Sequence, residues 1–236
     1  MRVAALYDVH GNLPALEAVL AEVRREQVDA VVSGGDVVLG PLPAECLALL
    51  RDAGARFLAG NCERLVLDRA GERDSWCLDQ LEQQDRGLIA SWPQTLELEP
   101  DGLGTVLFCH ATPRSDEEIL TVLTPDRAVA EALAGTTADL VVCGHTHVQY
   151  DRRVPSRPRL VNAGSVGLAY EGSPGARWAL LGPTVELRTT PYDVEAALRT
   201  LHEPGFPEAA ELFDESVRGE VTAQQASEAF ESRRGA

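Results

Sequence analysis

The chain has 236 residues, 44% of them hydrophobic and 25% charged, and its 37 acidic against 21 basic side chains give a formal net charge of −16. That size and balance suit a globular protein of one large domain or two small ones with a full core. The acidic excess excludes a surface that tracks a nucleic-acid backbone, which needs clustered Lys and Arg, and no stretch is apolar for long enough to span a bilayer.

The opening MRVAALYDVHGN enters a strand pattern at once and breaks at Asp8, so it does not read as a signal segment. Residues 2–7 form an apolar run, and LPALEAVLAEVRRE follows with Leu16, Val19, Leu20 and Val23 at helical spacing. Asn12 is placed to cap that helix, and Pro14 is tolerated in its first turn. DAVVSGGD repeats the plan, with a buried strand, glycines and an Asp at the carboxyl end. A helix over 43–53 and the strand ARFLAG, with Asn61 directly after it, complete a βαβαβ run, which predicts a parallel sheet.

Residues 62–92 read as a helical, cap-like insertion, and TLELE and TVLFCH read as strands flanking the turn signal PDGLG. A helix over about 125–134 leads to DLVVCGHTHVQYD, a strand pattern buried on both faces that stops at Gly144 and delivers His145 and His147. Short strands at 148–154, 159–162, 177–182 and 184–189 then predict a second, mostly antiparallel layer. An acidic helical tail, 192–236, closes a single domain spanning 1–236. The five cysteines, Cys46, Cys62, Cys77, Cys109 and Cys143, are odd in number and lack a CxxC pair. They predict free thiols in a reducing cytoplasm.

The polar residues fall at strand ends. Asp8 and His10 follow one strand, Asp36 another, Asn61 a third, His110 a fourth, and His145 with His147 a fifth. In open α/β sheets a site assembles outside the carboxyl ends of strands, so these seven side chains can converge. Nitrogen and oxygen donors without thiolate suit Mn²⁺, Fe²⁺ or Zn²⁺. Seven are too many for one tetrahedral ion but suit two ions sharing a carboxylate, an arrangement that clamps the attacking and leaving oxygens at phosphorus.

DVH at 8–10, GD at 35–36, GN at 60–61, His110 after TVLFC and GHTH at 144–147 resemble, in that order, the motifs of the calcineurin-like metallophosphoesterases. NAGSVG at 162–167 resembles a loop of their small bacterial and archaeal phosphodiesterase branch. The resemblance implies a four-layer α/β (αββα) sandwich with two central mixed sheets. It also implies one metal on Asp8, His10, Asp36 and His147 and a second on Asp36, Asn61, His110 and His145, with Asp36 bridging. The implied cofactors are two divalent ions, manganese first, with iron, zinc, nickel or cobalt as alternatives. The implied reaction is attack of a metal-bound hydroxide on a phosphodiester or a nucleotide phosphoanhydride.

Asp36, Asn61 and Cys62 are the candidate catalytic residues. Cys62 stands where many members carry the His that protonates the leaving group, and an ordinary thiol is the poorer acid at neutral pH. The expectation is a preference for good leaving groups. Asn12, Arg64, Arg114 and Ser165 are candidate substrate contacts, and Tyr170 also follows a motif. The expected partner is a small phosphate ester or nucleotide, with no membrane and a homo-oligomer left open. The alternatives are a phosphomonoesterase acting on small molecules or phosphoproteins, and a non-catalytic protein-binding module of the same fold.

Overall fold

A computed structural model describes residues 1–155 and 158–234; the last two residues of the expected tail lie outside them. Strand β1 (Val3–Leu6), helix α1 (Leu13–Glu26), strand β2 (Ala30–Ser33), helix α2 (Pro43–Asp52) and strand β3 (Arg56–Phe57) form the βαβαβ run. The three strands pair in parallel. In α1, Asn12 Oδ1 accepts from Ala15 N at 3.2 Å. The apolar stripe of that helix is buried as its spacing requires.

Helices α3 (Asn61–Leu67), α4 (Glu72–Gln80) and α5 (Gln83–Ile89) follow, then strands β4 (Thr95–Leu98) and β5 (Val106–Cys109), helix α6 (Asp126–Ala132) and strand β6 (Leu140–Cys143). Strands β7 (Tyr150–Arg152), β8 (Arg159–Asn162), β9 (Ala176–Leu181) and β10 (Val185–Thr190) precede helices α7 (Val194–His202), α8 (Ala209–Val217) and α9 (Ala223–Glu231). The two five-stranded mixed sheets run β10-β9-β1-β2-β3 and β4-β5-β6-β8-β7.

Alternation along the strands builds the layers. Val3, Ala5 and Tyr7 meet Phe108, Val142 and Val161 between the sheets, while Ala4 and Leu6 face α1 and α2. On the far side, Leu107, Cys109, Val141 and Cys143 pack against Val129, Ala132 and Leu133 around α6. The order is helix, sheet, sheet, helix. Tyr7 is fully buried and its hydroxyl donates across the sheet interface to the Val142 carbonyl at 2.9 Å, which meets the need of a buried phenol.

The sequence pattern predicted a second, mostly antiparallel layer from the strands after His147, but these strands instead join the two central sheets. β9 is buried at all six positions, so it needs neighbours on both edges and cover on both faces. It lies between β1 and β10 in the first sheet. β8 joins β6 in parallel in the second sheet, with β7 antiparallel at its edge. Segment 62–92 is helical as expected and packs beside α2: Cys77, Leu78, Leu81, Ile89 and Trp92 enter the core shared with α1 and α2, and Trp92 stacks on Phe57 at 4.5 Å. All five cysteines are free and buried. Among the described residues no helix is long and apolar enough to cross a membrane.

Candidate metal centre

The turns after β1, β2, β5 and β6 and the start of α3 bring Asp8, His10, Asp36, Asn61, His110, His145 and His147 together. Asp8, His10, Asp36, His145 and His147 all have positive φ, between 47° and 67°. They account for five of the eight such non-glycine residues among those described. Left-handed backbone costs a residue with a Cβ on the order of 1 kcal/mol or more, so its concentration here marks a place where side-chain direction outweighs local comfort. The turns are tied to one another: Asp8 N donates to Gly35 O, His10 N to Asp36 O and His145 N to Asp8 Oδ2. Gly60 and Gly144 are required by contact, since a Cβ at either would overlap the carboxylate of Asp36 or of Asp8.

The histidines are aimed from behind. Nδ1 of His10 faces the Leu39 carbonyl at 3.1 Å, that of His110 the Gly34 carbonyl at 2.9 Å, and that of His147 the Leu168 carbonyl at 2.8 Å. A carbonyl only accepts, so each Nδ1 carries the proton and each Nε2 turns inward, the usual support of metal-ligating imidazoles. His147 Nε2 lies 3.5 Å from Asp8 Oδ1, and His110 Nε2 lies 3.4 Å from Asp36 Oδ2 and 3.1 Å from Asn61 Oδ1.

These residues fit divalent metal. Asp8 Oδ1 is buried with no hydrogen-bond partner, and the Nε2 atoms of His10 and His147 face each other at 3.1 Å. Two inward lone pairs and an orphaned carboxylate oxygen are the donor set that a cation satisfies. Asp8, His10 and His147 form one group whose ligand atoms lie within 4.8 Å of one another, and Asp36, His110 and His145 form another.

The electrostatics agree. Burial pushes the Asp36 carboxyl up, but His110 and His10 overcome it and hold the group well below the usual carboxylate range. Asp8 is lowered likewise, chiefly by His147 against its own burial. Burial would lower His110, but the Asp36 and Asp8 carboxylates beside it raise it to about 10. Burial and then the charge of His110 press His145 down to about 4, leaving a neutral imidazole with a free lone pair.

Cys62 is buried, and its thiol donates to Asp36 Oδ2 at 3.0 Å. Burial and then Asp36 push that thiol well up. Asn12 and Ser165, expected to meet substrate, are fully buried and committed within the chain. Asn12 caps α1 and donates to Gly167 O at 2.9 Å, while Ser165 Oγ donates to Asp8 O and accepts from Leu168 N, both at 2.7 Å. They shape the turns and have no polar atom left to offer. Arg64 is ion-paired with Asp116 and Glu117, and Arg114 with Glu118; in so acidic a chain, arginines find carboxylates. Tyr170 stacks on His147, with ring centroids 4.9 Å apart.

Two residues escaped the sequence reading. Glu63, the last letter of GNCE, is 1% exposed and accepts from the backbone N–H groups of Asp36, Val37 and Gly60 at 2.7–2.8 Å. It fixes the turn that carries Asp36. Its signal lay in the motif itself, a carboxylate three residues after Gly60 at a helix start. Glu63→Gln turns an amide N–H₂ toward backbone donors and is expected to destabilise the fold by about 2–4 kcal/mol. Urea unfolding with an unchanged slope checks it; a loss under about 0.5 kcal/mol counts against this role. The second is Phe230 of α9, whose ring lies 6.1 Å from that of His145. No local pattern marks it, because the contact joins the tail to a strand end far back in the chain.

A profile described as the calcineurin-like phosphoesterase superfamily domain matches residues 1–182. A metallophosphoesterase from Sphaerobacter thermophilus superposes with a TM-score of 0.75 at 28% identity, covering 93% of this chain and 99% of that one. A hypothetical protein from Pyrococcus horikoshii gives a TM-score of 0.79 at 18% identity over 94% and 99% of the two chains, a likeness of fold. An uncharacterised protein of Methanocaldococcus jannaschii is 25% identical over 233 residues, covering 87% of this chain and 94% of that one.

Proposed function

The chain belongs to the calcineurin-like phosphoesterase superfamily, and from that premise we propose that it is a dinuclear metal-dependent phosphodiesterase acting on small diesters or nucleotide phosphoanhydrides. Superfamily membership supports a hydrolase of phosphoester bonds that uses divalent metal. The observation that carries the finer reading is the inward turn of three Nε2 atoms, each braced through Nδ1, upon two buried carboxylates. Asp8, His10, Asp36 and His147 would hold one ion and Asp36, Asn61, His110 and His145 the other, with manganese the first candidate. When bound, such ions supply Lewis acidity and lower the pKa of water to about 7.

The chain's own residues do the rest. Asp36 lies within reach of both donor groups and is gripped by Cys62, whose N and Sγ donate to Oδ1 and Oδ2. That grip orients the shared carboxylate, and it also commits the one thiol in the centre to Asp36. A reaction without a proton donor favours leaving groups that depart as stable anions, because general acid assistance contributes about 10²–10⁴-fold.

The test compares bis-p-nitrophenyl phosphate with p-nitrophenyl phosphate after metal removal and Mn²⁺ return. Diester cleavage is expected to be faster by roughly tenfold or more and to need the metal. Faster monoester cleavage would replace this reading with a phosphomonoesterase, and absence of metal-dependent turnover of either would remove it.

A further inference from the structure

Helices α8 and α9 and Tyr170 enclose a cleft of 420 Å³. Two aromatic rings join it to the metal centre: Tyr170 lies nearly parallel to His147, at 21°, and Phe230 stands beside His145. Both rings line the cleft. Helix α9 is fastened in place, since Glu231 accepts from the hydroxyls of Thr121 and Thr124 and Gly172 N donates to Val221 O at 2.8 Å.

The lining states what the cleft suits. Glu211, Glu215 and Glu220 line it and have no ion-pair partner among the described residues. Three free carboxylates repel a phosphate and accept N–H groups. Flat apolar rings accept the face of another ring. At the rim, Arg233 has no carboxylate partner among the described residues, while its neighbour Arg234 is taken by Glu231.

We infer that this cleft is a subsite for an amino-bearing nucleobase, carried by the phosphate ester whose phosphorus lies at the metal centre. Tyr170 and Phe230 are its stacking walls, and the carboxylates receive the exocyclic amine. The C-terminal helices then determine specificity. The proposal rests on the phosphodiesterase reading only for what carries the base; the base site belongs to the chain itself.

Binding of adenosine and purine riboside to the full-length protein tests it, by ligand-observed NMR titration. Neither nucleoside has a phosphate to hydrolyse, so the result is independent of turnover. Adenosine is expected to bind about tenfold more tightly than purine riboside, which lacks the amine and has no N–H donor on its ring. Phe230→Ala is expected to weaken adenosine by about tenfold. Ala229→Trp, which fills the cleft from an exposed position without removing a packed side chain, is expected to abolish it. No adenosine binding up to its solubility, equal binding of purine riboside, or binding unaffected by both substitutions overturns the inference. Failure of the diester assay with adenosine binding intact would remove the enzyme reading and leave the base site standing.

Discussion

Asp36→Asn is expected to lower metal-dependent kcat/KM by a thousandfold or more, on the order of what loss of a principal electrostatic stabiliser costs, and to release bound metal on gel filtration. The argument is one of charge rather than shape. Asp36 Oδ2 lies 3.4 Å from His110 Nε2 and 3.8 Å from His10 Nε2, so one carboxylate lies beside a histidine of each proposed donor set. Asparagine keeps an acceptor for Cys62 N, and the turn keeps its backbone bonds to β1. The expected variant is therefore folded, with metal content and turnover lost together. Wild-type metal stoichiometry in a folded Asp36→Asn protein would refute the bridging role.

The second large effect is on stability. Ions binding the native centre at about a thousandfold above their dissociation constant add roughly 4 kcal/mol. In a chain of this size that is a rise in Tm of roughly 8–16 °C. Scanning calorimetry of the stripped protein with and without Mn²⁺ measures it, and no rise would speak against a metal centre. The sign with pH follows from His110. Its pKa is raised from 6.5 to about 10, so the imidazolium favours the metal-free fold below pH 6.5, and that contribution is lost as pH rises toward 10. The same proton competes with the ion. The metal-induced rise in Tm is therefore expected to be larger at pH 8 than at pH 6.

Much of this centre was legible because it sits where the chain changes period. Buried strands such as LVVC end in glycine and a polar residue, and each such end points into the same crevice. Sheet membership was less legible. The run ARWALL reads as a strand in any position, and only full burial against β1 and β10 assigns it to the first sheet. Substrate contacts were least legible, because proximity to a motif does not give direction. Asn12 and Ser165 stand beside the right residues and turn into the backbone. Arg64 and Arg114 were drawn to neighbouring acids. Phe230 reaches His145 only through the packing of α9 against the loops at Thr121 and Gly172.

The two central sheets divide the candidate ligands. Asp8, His10, Asp36 and Asn61 extend from the first, and His110, His145 and His147 from the second. Neither proposed set of four can be assembled from one sheet, and the closure that joins Asp8 to His147 spans more than half of the chain. The centre thus requires that the two sheets be docked and the long loops between them closed. An ion held by both sets of ligands would act as a rivet between them, lengthening the native lifetime.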